Sequence, residues 1–156
     1  MKFSALAALV GFTQAASFPS FDSFHAHCQI DYTTSDSCAT AFSSFHDTLD
    51  GFQDPASPQG TYTSKQETSP SEIWTQRKTA NGKYTDNVRF NFADSGNGCA
   101  ITSQSQSISL SYYDYSVNYC NMFNVLRTVY SDLEIKDVSN SKCGYPATDV
   151  STCDRY

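Results

Sequence analysis

The chain has 156 residues, of which 39% are hydrophobic, 14% aromatic and only 17% charged, a balance too apolar and too rich in Phe and Tyr for a disordered segment. Ten basic against sixteen acidic residues give a net charge of −6, and no basic stripe is present to neutralise phosphates, which argues against nucleic acid and anionic membrane surfaces as partners. At this length a single core is expected, and nothing in the sequence implies a cofactor.

Residues 1–16, MKFSALAALVGFTQAA, combine Lys2 with an apolar run from Phe3 to Phe12 and small residues at Thr13, Ala15 and Ala16, the pattern of a secretory signal peptide. The run is too short to span a bilayer, which takes about 20 residues, and no later segment is more apolar, so no membrane span is predicted. The expectation is a secreted, extracellular domain over 17–156. Loss of Lys2 with the leader leaves nine basic against sixteen acidic residues, a net of −7.

Six cysteines, Cys28, Cys38, Cys99, Cys120, Cys143 and Cys153, all follow the leader. An even count in an exported chain predicts three disulfides, with the pairing open. The absence of any C-x-x-C pair argues against a zinc site. No N-x-S/T sequon occurs, so N-glycosylation is not expected.

In chain order, residues 17–27 read as an irregular lead-in before a strand over 28–32. Thr33, Thr34 and Ser35 offer N-cap oxygens, with Asp36 in the first helical turn. The apolar positions Cys38, Ala41, Phe42, Phe45, Leu49 and Phe52 then follow helical spacing for about four turns, ended by Gly51, Pro55 and Pro58. From 61 to 111 the period changes to two. Strands are predicted over 61–68, 72–79, 84–93 and 99–111 as an antiparallel meander, with DSGNG as a hairpin loop. Ile101 and Ile108 fall on opposite parities of the last strand, which a bulge between Ser103 and Ser107 would reconcile. A second helix is predicted over 116–130, with Met122, Val125, Leu126 and Val129 as its apolar stripe and Asn121, Asn124 and Thr128 as its polar one; a short helix followed by a strand is the alternative. The tail from 131 reads as a loop-rich strap tied down by disulfides. The fold class is therefore α+β, with a disulfide-stapled antiparallel sheet of about four to five strands packed against one or two helices.

The segments KYTDNVRFNF (83–92), DYSVNYCNMFNVL (114–126) and the closing CDRY (153–156) together resemble a family of small secreted eukaryotic proteins with paired cysteines, an N-Y-C-N-x-x-N segment and a terminal C-D-[KR]-Y. The resemblance covers most of the chain after the leader and implies secretion and a shared fold, but no assigned activity. Phe123 stands where some relatives carry His.

Catalytic constellations are thin. His25, His27 and Cys28 form H-x-H-C, but no third metal ligand accompanies them, and a solvated lead-in explains them better. His46 and Asp50 are four apart, the spacing of an ordinary helix-surface pair. The likeness to microbial secreted ribonucleases fails for want of a histidine in the meander, although Arg89 with Glu67 or Glu72 supplies other groups. Asp132, Glu134 and Asp137 are weak glycosidase candidates, and no G-x-S-x-G elbow exists.

The richest local chemistry is SYYDYSVNYCN (111–121), extended by Asn124. Tyr112, Tyr113, Tyr115 and Tyr119 offer rigid apolar faces with polar tips, and Asp114, Asn118, Asn121 and Asn124 offer hydrogen-bonding partners, a set able to stack on a sugar ring or grip a peptide. The same residues also suit a strand-to-helix corner held by Asx caps. The reading is a monomeric, non-enzymatic binding or interaction protein whose partner is a carbohydrate or an extracellular protein. Its alternatives are an extracellular carrier of a small apolar ligand beneath Phe42, Phe45 and Phe52, and, further off, a secreted hydrolase.

Overall fold

A computed structural model describes residues 17–53, 60–69 and 71–156, with the main chain only for 64–69. The expected signal peptide and most of the loop after the first helix lie outside the described residues. The elements run β1 (His27–Thr34), α1 (Cys38–Gly51), β2 (Thr61–Ser69), β3 (Glu72–Lys78), β4 (Thr85–Asp94), β5 (Cys99–Ser107), α2 (Val117–Val129) and β6 (Ser139–Asn140), with short 3-10 helices at Ile135–Asp137 and Val150–Arg155. The expected α+β class holds. Five long strands and a two-residue sixth form one antiparallel sheet in the order β2-β3-β4-β5-β1-β6.

Both helices cover one face. Alternation in β4 buries Asp86, Val88, Phe90 and Phe92 and turns Asn87, Arg89 and Asn91 outward, as period-two patterning requires. Helix α1 places Phe45 edge-on against Phe90 and Phe92, with ring centroids 5.1 and 5.2 Å away, and Ala41 and Leu49 are buried on the same stripe.

Four local expectations are corrected. The cap of α1 is Ser37, whose Oγ accepts from Thr40 N at 3.2 Å, and not a residue of 33–35. The ladder explains why: β1 stays paired with β5 as far as Thr34 opposite Cys99, so Thr33 and Thr34 are strand residues. The chain must come close there, since a Cβ on Gly98 would lie 1.9 Å from Thr34 O.

No bulge interrupts β5, whose pairing with β4 and β1 is continuous. The parity conflict is resolved by ending the strand at Ser107, which leaves Ile108 and Leu110 exposed, while Ser103 and Ser105 occupy the buried face beside Cys99 and Ile101. The register shifts lie in β2 instead, between Ser64 and Gln66 and between Glu67 and Ser69. Finally, the asparagine stripe of α2 is buried, because Asn121 meets Ser105 and Asn124 meets the carbonyls of Cys153 and Tyr156.

The three disulfides are Cys28–Cys143, Cys38–Cys99 and Cys120–Cys153. The second ties the start of α1 to β5, and the third ties α2 to the chain end. Asn124 Nδ2 donates to Cys153 O (3.0 Å) and Tyr156 O (2.6 Å), and Arg127 pairs with Asp154 at 2.8 Å. The N-Y-C-N-x-x-N and C-D-R-Y segments are thus two halves of one interlock.

Candidate functional site

The inner face of the sheet changes character from one end to the other. Phe90, Phe92, Ile101 and Ile30 fill the end under α1. At the opposite end Tyr62, Arg77, Asp86 and Ser107 stand directly across from one another on β2, β3, β4 and β5, and Tyr62, Arg77 and Asp86 are buried. Most buried polar groups are hydrogen-bonded, and helix α2 supplies partners to Tyr62 and Asp86. Its residues 118, 121 and 124, three apart, share one side of the helix. Asn121 Nδ2 donates to Asp86 Oδ2 (2.9 Å) and to Ser105 Oγ (3.1 Å), and Ser105 Oγ donates to Asn118 Oδ1 (2.6 Å). Tyr62 OH donates to Asn121 O at 2.8 Å. Burial raises the pKa of Asp86 above the ordinary 3.8, opposed by the bonds from Asn121 and Ser107 and by the charge of Arg77, while the charge of Asp114 adds to the rise.

Asp114 closes the N-terminus of α2. Its Oδ2 accepts from Asn118 N (2.9 Å) and Asn118 Nδ2 (2.8 Å), and its Oδ1 from Ser116 N (3.3 Å), whereas Ser116 makes no capping bond of its own. To reach this geometry Tyr115 and Ser116 take φ values of 51° and 72°, two successive non-glycine residues in the left-handed region. The corner is also tied to the chain end, where Tyr156 OH donates to Tyr115 O at 3.3 Å.

Between this corner, the β3–β4 turn and the end of β5 lies a cleft of about 350 Å³, lined by Tyr84, Asp86, Leu110, Tyr113, Asp114 and Tyr115 among others. That volume falls in the range of small-ligand sites. Its rim is apolar and exposed: Tyr84 is 59% accessible, Tyr113 67%, Leu110 75% and Tyr115 76%. Tyr113 also packs on Tyr145, with centroids 5.5 Å apart. Among the described residues, no Lys, Arg or His lines the cleft. It therefore presents flat aromatic faces above carboxylate and hydroxyl oxygens.

The eight sequence candidates separate into two groups. Tyr113, Asp114 and Tyr115 meet at the cleft, and Tyr112, also exposed, lines an adjoining recess. Asn118, Tyr119, Asn121 and Asn124 are buried in the packing of α2. The pKa of Tyr119 is pushed up to about 12 by burial, and its ring stacks on Phe123 at 5.5 Å. Sequence reasoning missed Tyr84, Asp86 and Leu110, which long-range pairing brings in from other segments. The one signal was an Asp on the inward parity of β4, in a strand otherwise alternating Val and Phe.

The other constellations are placed as follows. His25 Nδ1 lies 2.9 Å from Asp22 Oδ2, lowering the pKa of Asp22 through that bond, and His27 stacks on Phe21 at 4.4 Å. His46 lies 3.4 Å from Asp50 on α1, Arg89 lies 3.5 Å from Glu72 on the outer face, and the side chain of Glu67 falls outside the described residues. Asp137 Oδ2 accepts from Glu134 N at 2.9 Å, capping a 3-10 turn. Among the described residues no helix is long and apolar enough to cross a membrane, and no three His, Cys, Asp or Glu side chains converge as a metal site would require. No protein-family model matches the chain, and a search of curated proteins finds no match.

Proposed function

We propose that the protein is a secreted, non-enzymatic binding protein related to the small secreted proteins its N-Y-C-N-x-x-N segment resembles, and that the cleft at the tyrosine corner takes a saccharide. One observation carries this reading: exposed rings of Tyr84, Tyr113 and Tyr115 surround a 350 Å³ cleft with Asp86 and Asp114 among its lining. Tyrosine faces stack on the apolar faces of a sugar ring, and carboxylate and hydroxyl oxygens accept from its hydroxyls. The two left-handed residues support it as well, since backbone strain collects where a surface is shaped for binding.

A carrier site beneath the phenylalanines of α1 has less support. Phe45 is packed edge-on between Phe90 and Phe92, and the recess between α1 and β3 holds about 10 Å³, the scale of one water. The test is a panel of soluble oligosaccharides titrated by calorimetry into the secreted protein and into Tyr113→Ala/Tyr115→Ala. The reading predicts a saccharide that binds the parent and loses at least tenfold in affinity with the variant. Equal affinity for both proteins would refute it.

A further inference from the structure

The outer face of the sheet carries polar side chains in register across four strands. One row is Gln29, Gln104, Arg89 and Trp74, each directly opposite the next. Arg89 is fixed within it, bonded to Gln104 and 3.5 Å from Glu72. Residues 17–24, SFPSFDSF, lie over this face and repeat Ser-Phe at intervals of three, so phenylalanines fall at 18, 21 and 24.

Phe18 meets the edge of Trp74 with centroids 5.7 Å apart, and the Arg89 guanidinium sits 4.6 Å from its ring centre. Phe21 stacks flat on His27 at 4.4 Å. Main-chain hydrogen bonding contributes little to this seat. Among the described residues, the first main-chain bond from the segment to its neighbours is Ser111 N to Phe24 O, and Gln106 Nε2 reaches Ser20 O only at 3.5 Å. Beneath Phe18, Trp74 Nε1 is buried with no hydrogen-bond acceptor among the described residues. Two phenylalanine rings each seated on an aromatic partner, and an orphaned donor beneath one of them, are features of a peptide receptor whose present occupant fills it incompletely.

We propose that the surface around Trp74, Arg89 and His27 is a docking site for an extended peptide segment bearing two phenylalanines three residues apart, and that residues 17–24 occupy it in cis as a replaceable stand-in. A partner carrying such a segment displaces the strap and presents a backbone carbonyl to Trp74 Nε1. A short tether holds the strap at an effective concentration on the order of 1 mM, so its docking requires that the free segment bind with a Kd below about 1 mM.

Trp74 is the one tryptophan in the chain, so its emission reports occupancy directly. The experiment compares the full secreted protein with Phe18→Ala/Phe21→Ala and, as a milder variant, with Phe18→Ala alone. Each is titrated with the synthetic peptide SFPSFDSF and with a peptide in which every Phe is Ala. Both variants should show red-shifted Trp74 emission, which SFPSFDSF restores with a midpoint below about 1 mM while the alanine peptide has no effect; the parent, whose strap competes at about 1 mM, should need at least about twofold more peptide to respond. Unshifted emission in both variants would overturn the proposal, as would a shift that several millimolar peptide leaves unreversed. An equal response from parent and variant would remove the cis occupant.

Discussion

Replacing Asn121 with Leu keeps the branching of the side chain and removes the donor that holds Asp86 in place. In the parent, Asn121 Nδ2 donates to Asp86 Oδ2 at 2.9 Å and to Ser105 Oγ at 3.1 Å, both buried. A hydrogen bond to a charged group is worth about 1.5–3 kcal/mol, so Asn121→Leu should cost about 2–3 kcal/mol at a pH above the folded pKa of Asp86, where the carboxylate is ionised. The pH dependence identifies the partner. Burial raises the folded pKa of Asp86 above 3.8, so protonation favours the folded state: its stabilising effect is complete below the unfolded value and is lost as pH rises through the folded one. Losing Asn121 removes an opposing influence and raises the folded value further, so the variant begins to recover at higher pH than the parent. The difference should shrink toward the ~1 kcal/mol of a neutral hydrogen bond as pH falls through the raised folded value of Asp86. Urea unfolding on both sides of that value, with the disulfides intact, measures it. A cost below about 0.5 kcal/mol, or one independent of pH, would refute the assignment of Asn121 as the donor to a buried carboxylate.

Ser116→Gly relieves one left-handed residue that makes no capping bond, and after the entropy cost of glycine it should stabilise the protein by about 0.5–1 kcal/mol in the same assay; destabilisation would show that the Ser116 side chain contributes to the corner. Gly98→Ala drives a Cβ into Thr34 O and should cost at least ~2 kcal/mol, read as a lowered melting temperature, while Gly96→Ala, with open space around it, should cost less. Replacing Cys120 and Cys153 together with Ser removes a cross-link spanning 33 residues and should cost about 4 kcal/mol on the chain-entropy relation, measured by urea unfolding; a loss under 1 kcal/mol would mean that the Asn124 contacts alone hold the tail.

Local patterning made the secondary structure legible: Phe45 and Leu49 mark the buried side of α1, and Val88, Phe90 and Phe92 that of β4. Polar residues misled wherever tertiary partners decide their burial. Asn121 and Asn124 look like a solvated stripe, and only distant partners turn them inward: Ser105 and Asp86 for Asn121, and the carbonyls of Cys153 and Tyr156 for Asn124. For the same reason the Ser-rich half of β5 suggested a bulge, when Ser105 and Ser107 answer Asn118 and Asn121 of α2. Half of the candidate cleft was readable from the continuous stretch Tyr113–Tyr115. The other half, Tyr84 with Asp86, depends on the register of β4 against β5, which fixes Asp86 opposite Ser107 and is set by the whole meander. The strap at 17–24 was hidden by its period of three, which matches neither helix nor strand.

The most direct test of the binding cleft is a backbone amide shift map recorded on the isotopically labelled secreted protein during titration with the tightest saccharide of the panel. The account predicts that the largest shifts gather at Tyr84, Leu110, Tyr113 and Tyr115, with Asp86 moving and the outer-face row of Gln29, Gln104 and Arg89 unmoved. Shifts centred on that outer face, or spread over α1, would contradict it.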